Sequence, residues 1–210
     1  MKSLAFWISV ILHPLLMASY GCLFIFFIIQ NTIFDYLTPF GLKWRISLIV
    51  FIFSFLFPIL NIFILYKLKR IPSFTLSEQS ERTFPYIMTA AFYFGLFYLL
   101  FDLNIWPTVK LFVLGGGLAI LLVALINLKY KISAHMVGIG GLLGALIALS
   151  YLLKFDMTFY YIGIIFLSGI LASARLFLKE HNPPQLYSGF LLGLFVQIGL
   201  FLISEKIKFL

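Results

Sequence analysis

The chain has 210 residues, of which 63% are hydrophobic, 19% aromatic and only 10% charged. A water-soluble domain of this size needs far more polar surface, so the composition excludes one and predicts an integral membrane protein. The formal net charge of +8 is attributed to membrane topology and contact with anionic lipids, and no nucleic acid partner is expected. The long apolar runs predict an all-α, polytopic transmembrane helix bundle instead of a transmembrane barrel.

A helix that crosses a membrane needs about 20 predominantly apolar residues. The sequence contains seven such runs, which predicts a bundle of six to seven spans. The connections between several runs are short, so neighbouring spans are antiparallel, and residues 1–210 are interpreted as one integral membrane domain. In chain order the predicted spans are Leu4–Ile29, Ile46–Leu65, Phe84–Leu103, Thr108–Ile126, Ile132–Leu153, Met157–Leu178 and Leu186–Ile203.

The first two predicted spans each contain a proline. Pro14 is expected to kink the first helix, and the side chain of His13 before it is expected to bond backbone carbonyls that the kink releases. Pro58 predicts a similar kink in the second span. We therefore interpret His13 as a structural residue of the helix kink and not as part of a functional site.

Polar segments alternate between the two sides of the membrane along the chain. Counting crossings places the long loop Lys67–Thr83 on the same side as the turns Asn127–Lys131 and Lys179–Gln185. Basic and titratable residues at the ends of several spans are therefore predicted to converge on one membrane face. They are Arg82, Lys129, Lys131, His135, Arg175 and His181. The distribution of Lys and Arg leaves open which face this is.

Each candidate also has an explanation that involves no chemistry. His135 is typical of a membrane boundary, Arg175 of an arginine that reaches toward lipid headgroups, and His181 of a proline-rich turn. Arg82 has glutamates nearby in sequence, at positions 78 and 81, as ion-pair partners. Ser133 by itself is an ordinary hydroxyl at a helix start.

Taken together, these residues suit the chemistry of a phosphate group. The guanidinium of an arginine binds two phosphate oxygens at once. One imidazole can attack phosphorus while a second protonates the leaving oxygen, and such a transfer needs no metal. No set of residues with metal-ligand spacing is found, so neither a metal nor another cofactor is expected.

Two of the segments resemble motifs of the type 2 phosphatidic acid phosphatase superfamily. The motifs of that family are Lys-x6-Arg-Pro, Pro-Ser-Gly-His and Ser-Arg-x5-His-x3-Asp. The second motif resembles Ile132-Ser133-Ala134-His135. The third resembles the segment that begins at Ala174 and contains Arg175, then His181 after five residues, then Gln185 after three more.

The first motif is represented less completely. Arg82 has Pro85 nearby, and Thr75 stands where the family has its lysine. The resemblance extends from about Arg82 to Gly193, and the order of the motifs and their placement at helix ends also match those of the family.

The resemblance implies a role for each matched residue. His181 would be the nucleophile that becomes phosphorylated, and His135 the acid for the leaving group. Gln185 stands in place of the aspartate that orients the nucleophile, and it brings no charge. The residues implied to hold the phosphate are Arg82, Ser133 and Arg175.

The sequence therefore predicts a membrane-embedded phosphatase, with a phosphatase-like core at about residues 66–203. It would act on a lipid phosphate or an isoprenoid pyrophosphate through a phosphohistidine intermediate. Its expected partners are membrane lipids and this phosphorylated lipid substrate. The alternative is a catalytically impaired relative that binds a phosphorylated lipid or a partner membrane protein, because Gln185 replaces the aspartate. A small transporter is disfavoured, because no inverted repeat is found. The compact build suggests a bacterial inner membrane.

Overall fold

The structure is a computed structural model that describes residues 2–29, 38–74, 76, 78–103 and 105–206. Within these residues the regular structure is helical, with a 3-10 turn at Pro14–Leu16 and a π-helical turn at Ile52–Leu56. The α-helices are α1 (Lys2–Ile11), α2 (Met17–Phe27), α3 (Phe40–Phe51), α4 (Phe57–Lys67), α5 (Gln79–Phe101), α6 (Pro107–Asn127), α7 (Ala134–Leu153), α8 (Thr158–Phe177) and α9 (Pro183–Lys206).

Seven helical segments in the described part of the chain are long and apolar enough to cross a membrane. The first segment consists of α1 and α2, the second consists of α3 and α4, and each helix from α5 to α9 forms one of the others. The predicted all-α transmembrane bundle of six to seven spans is thereby confirmed, and the chain is an integral membrane protein.

The second and third spans begin well before the positions that hydropathy predicts. The second begins at Phe40 and the third at Gln79, because the charged residues there, such as Lys43 and Glu81, lower hydropathy but are compatible with a helix. Asn127 fixes the start of α5, since its Nδ2 donates to the Gln79 carbonyl at 2.8 Å and to the Thr83 hydroxyl at 3.0 Å. Residue 75 and residues 30–37 of the preceding loops lie outside the described residues.

Helices α7 and α9 form the most extensive helix pair in the described part of the chain. Glycines make this close approach possible: a Cβ atom on Gly189 would lie 2.6 Å from the Ser133 carbonyl oxygen, and one on Gly140 would meet the Phe190 carbonyl. The same contact joins the starts of the two helices, where the Ser133 N–H donates to the Gln185 carbonyl at 3.2 Å.

The predicted kink at Pro14 is a complete break in the α-helix. Helix α1 ends at Ile11, His13 is extended, and the chain resumes as the 3-10 turn. The predicted bond from His13 to a released carbonyl is wrong: its Nδ1 accepts a hydrogen bond from the Leu15 N–H at 3.3 Å. At Pro58 the second span instead continues through the π-helical turn that precedes it.

Candidate active site

Two arginines from different helices meet at one carboxylate. Arg82 lies near the start of α5 and Arg175 in the last turn of α8. Their Nη2 atoms lie 3.7 Å and 3.6 Å, respectively, from the same oxygen of Glu180, Oε2. The side chains of the arginines are 7% and 11% exposed, whereas that of Glu180 is 33% exposed. Two buried guanidinium groups that share a more accessible anion form an anion-binding site.

The position of Arg82 is fixed by further contacts. Its Nε donates to the Leu76 carbonyl at 2.6 Å, and it also forms a hydrogen bond with the Tyr86 side chain one turn later in α5. Glu81, one of the two glutamates that the sequence offers as ion-pair partners, accepts a hydrogen bond from the Ser73 hydroxyl at 3.4 Å. The guanidinium of Arg82 is therefore held toward Glu180 before any ligand enters.

Two buried polar atoms at this site have no hydrogen-bond partner among the described residues. They are Nε of Arg175 and Oγ of Ser133. Ser133 is fully buried and precedes α7 as its N-cap, but its side chain does not cap the helix. Because buried polar groups are almost always paired in folded proteins, these two atoms are available to bond a water molecule or a polar ligand.

His181 lies in the turn between α8 and α9 and is 8% exposed, so it is buried and not a surface turn residue. Its Nδ1 lies 3.0 Å from Oε1 of Gln185. An amide oxygen can only accept, so Nδ1 carries the proton and the lone pair of the neutral ring is on Nε2. Gln185 therefore orients the ring without bringing a charge to it.

A reciprocal pair of hydrogen bonds at the start of α9 holds Gln185 in place. Its N–H donates to Oδ1 of Asn182 at 3.1 Å, and its Oε1 accepts from the N–H of Asn182 at 3.3 Å. This is the arrangement of a helix capping box, with Pro183 and Pro184 as the first helical residues. The turn is thus rigid, and the glutamine has a structural function in addition to its contact with His181.

The surroundings of His181 favour its neutral form. Burial lowers the pKa of His181 from 6.5 to about 4, and the positive charges of Arg82, Arg175 and Lys131 act in the same direction. The hydrogen bond to Gln185 favours the charged form but is outweighed. At pH 7 the ring is therefore unprotonated on Nε2, as a nucleophile must be.

His135 lies in the first turn of α7, within electrostatic range of Arg175 and His181. Its Nε2 lies 3.2 Å from the Ser9 carbonyl in the first span. The ring of His13 contacts it edge-on, with 5.3 Å between ring centroids and 78° between planes. The first span therefore reaches the site, which the sequence did not predict.

An apolar groove runs between the first span and α8. It has a volume of about 590 Å³ and is lined by Leu4, Ala5, Ile8, Phe166, Gly169, Ile170, Ser173, Ala174 and Phe177. Ala174, at one end of this lining, directly precedes Arg175. An apolar groove of this kind suits an apolar chain of a lipid.

The structure brings together Arg82, Arg175 and His181, with Gln185 on the histidine ring, and it places Ser133 and His135 beside them at the start of α7. Sequence reasoning missed Glu180, Tyr86 and the Ser9 carbonyl, although Glu180 directly precedes His181 in the sequence.

Comparison of the chain with protein-family models, with curated proteins and with solved structures finds no match. The chemistry of the site is therefore inferred from its own residues.

Proposed function

We propose that this protein is a membrane-embedded phosphatase of a bacterial inner membrane, a divergent member of the type 2 phosphatidic acid phosphatase superfamily. Its substrate would be a lipid phosphate or an isoprenoid pyrophosphate. The observation that carries this proposal is the convergence of Arg82 and Arg175 on one oxygen of Glu180, the residue before His181. The carboxylate of Glu180 lies between the two arginines, at the position that the phosphate of the substrate would take, next to the neutral imidazole of His181.

The arrangement supports a two-step transfer through His181. Its Nε2 lone pair attacks phosphorus, the bond from phosphorus to the lipid oxygen breaks, and that oxygen takes a proton from His135, whose imidazolium form the negative charge of the bound phosphate would favour. Water then attacks the phosphohistidine and gives a proton back to His135. The phosphorus–nitrogen bond breaks, which releases inorganic phosphate and restores both rings. Arg82, Arg175 and the Ser133 hydroxyl would hold the phosphate oxygens through both steps.

The groove between the first span and α8 supports a lipid as the substrate. It is almost entirely apolar, and Ala174, the residue before Arg175, is part of its lining. An acyl or isoprenoid chain that lies in this groove would place its phosphate at the arginines. A water-soluble phosphate ester would gain nothing from these contacts, because burial of apolar area is what such a groove provides.

Replacement of Glu180 by glutamine is expected to tighten binding of phosphate. The substitution removes an internal anion that competes for the two arginines, and such partly exposed ion pairs contribute about 1 kcal/mol, or roughly fivefold in affinity. The measurement is the inhibition constant of orthovanadate or inorganic phosphate. Glu78→Gln is the matched control, since Glu78 is exposed on the same membrane side. Equal affinity in E180Q and the unsubstituted protein would contradict the assignment of the anion site.

Replacement of Gln185 by glutamate is expected to raise turnover between about tenfold and a hundredfold. The substitution is isosteric, so it leaves an oxygen 3.0 Å from Nδ1 of His181. It adds a negative charge that stabilises the positive ring formed on attack, and a charged hydrogen bond contributes about 1.5–3 kcal/mol. The pKa of His181 would rise from about 4 toward 6.5, which still leaves the ring neutral above pH 7.

The control for this substitution is Asn182→Asp. It places one negative charge on the neighbouring residue, preserves the acceptor for the Gln185 N–H, and does not contact the ring. Turnover that rises equally in Q185E and N182D would indicate a general effect of charge. Turnover that does not change in Q185E would contradict the orienting role of Gln185.

The experiment that tests the function is phosphate release by the purified protein in nanodiscs. The panel contains phosphatidic acid, phosphatidylglycerol phosphate and undecaprenyl pyrophosphate, with a water-soluble phosphate ester for comparison. Release from one of the lipids, and not from the soluble ester, would support the proposal. Binding of a phosphorylated lipid without any release would favour the alternative of a catalytically impaired binding protein, for which the uncharged Gln185 is the structural argument.

A further inference from the structure

The break in the first span releases a backbone carbonyl close to the site. In a continuous helix the Ser9 carbonyl would bond the N–H of His13, four residues later. Pro14 has no N–H, and its ring clashes with the carbonyl four residues before it, so the α-helix ends at Ile11. The Tyr20 hydroxyl satisfies the Ile11 carbonyl at 2.8 Å. The Ser9 carbonyl is left to bond outside its own helix.

The released carbonyl bonds the ring of His135, at 3.2 Å from Nε2. Because a carbonyl only accepts, Nε2 carries the proton and Nδ1 is the nitrogen that exchanges one. The neighbouring ring of His13 is fixed as well, since its Nδ1 accepts from the Leu15 N–H at 3.3 Å. Its edge-on contact with His135, at 78° between ring planes, leaves that ring little freedom to turn.

We propose that the broken first span completes the active site by positioning His135: the Ser9 carbonyl sets which nitrogen carries the proton, and the His13 ring sets the plane of the imidazole. This inference rests on the proposed phosphatase function for its catalytic consequence. Each of the two site histidines then has an oxygen partner, Gln185 Oε1 for His181 and the Ser9 carbonyl for His135. Such partners fix the orientation of a functional imidazole.

Pro14→Ala is the variant that tests the role of the break. It restores an N–H at position 14 and removes the ring clash, so the helix can continue and the His13 N–H can recapture the Ser9 carbonyl. We expect kcat for phosphate release to fall by about tenfold to a hundredfold, with KM within about twofold, since the arginines are untouched. Pro107→Ala is the control, because Pro107 starts α6 at the other end of the bundle.

A pair of variants at His13 isolates the contact between the rings. His13→Ala and His13→Phe both lose the acceptor for the Leu15 N–H, but the phenylalanine keeps a flat ring against His135. We expect kcat to fall on the order of tenfold in H13A and to be largely retained in H13F. Equal activity of H13A, H13F, P14A and the unsubstituted protein would overturn the inference.

Nitrogen-15 NMR of histidine-labelled protein in nanodiscs gives a readout that does not depend on activity. The chain has three histidines, so the signals can be assigned with single variants. We expect His135 to be protonated on Nε2 in the unsubstituted protein and to lose this preference in P14A, with His181 unaffected. If the unsubstituted protein releases no phosphate, the proposed function fails, and this spectrum still tests the positioning. A His135 signal that is the same in both proteins would overturn it.

Discussion

Replacement of His181 by alanine is expected to lower phosphate release by at least about a thousandfold, because the substitution removes the group that attacks phosphorus. The imidazole is suited to this role by its neutral state, by the hydrogen bond of its Nδ1 to Gln185, and by its position beside the two arginines. Binding of orthovanadate is expected to persist within about tenfold, since both arginines remain. The measurement is the turnover of the best lipid substrate at saturation.

The matched control for His181 is Tyr187→Ala. Tyr187 lies six residues later, near the start of α9, and is 72% exposed. Removal of the Tyr187 side chain disturbs the start of α9 but not the site. We therefore expect the turnover of Tyr187→Ala to be within about twofold of that of the unsubstituted protein. Substantial turnover of His181→Ala with the best lipid would mean that another group attacks phosphorus.

Replacement of Arg175 by alanine is expected to lower kcat/KM by about a hundredfold to a thousandfold. Its guanidinium is buried in the last turn of α8, and its Nε lacks a partner among the described residues. A hydrogen-bonded charge pair in such a position typically contributes about 2–5 kcal/mol. Arg175→Lys is expected to restore little, because an ammonium group cannot make the two parallel hydrogen bonds of a guanidinium to a phosphate.

Lys129→Ala is the control for the loss of a positive charge. Lys129 is exposed on the same membrane side, so its removal changes the surface charge but not the anion site. We expect kcat/KM within about twofold of the unsubstituted protein. An equal loss in K129A and R175A would indicate that long-range charge, and not a specific contact, supports activity.

The sequence predicts the spans well, because about 20 apolar residues in succession admit few other structures. It misplaces the beginnings of the second and third spans, since charged residues lower the hydropathy of the helical turns that begin at Phe40 and Gln79. The glycines at 140, 144, 189 and 193 indicate close helix packing, because they carry no Cβ atom, but only the structure shows that α7 and α9 are the partners.

The site is predictable only in part. Arg82, Arg175 and His181 are brought together as the alternation of spans implies. The contacts between the first span and α7 join residues more than 120 positions apart, and a single sequence contains no signal for such a pairing. His13 is a case in point: Pro14 identifies a helix break, but only the packed structure shows that the break faces His135.

The most direct test of the account is to trap the phosphorylated intermediate. Protein that has been mixed briefly with a lipid labelled in its phosphate is quenched in alkali, which preserves phosphohistidine, and the labelled peptide is identified. The account predicts one labelled residue, His181, with no label in His181→Ala and a longer-lived label in His135→Ala. Phosphate release without any label on His181, or a label on another residue, would contradict it.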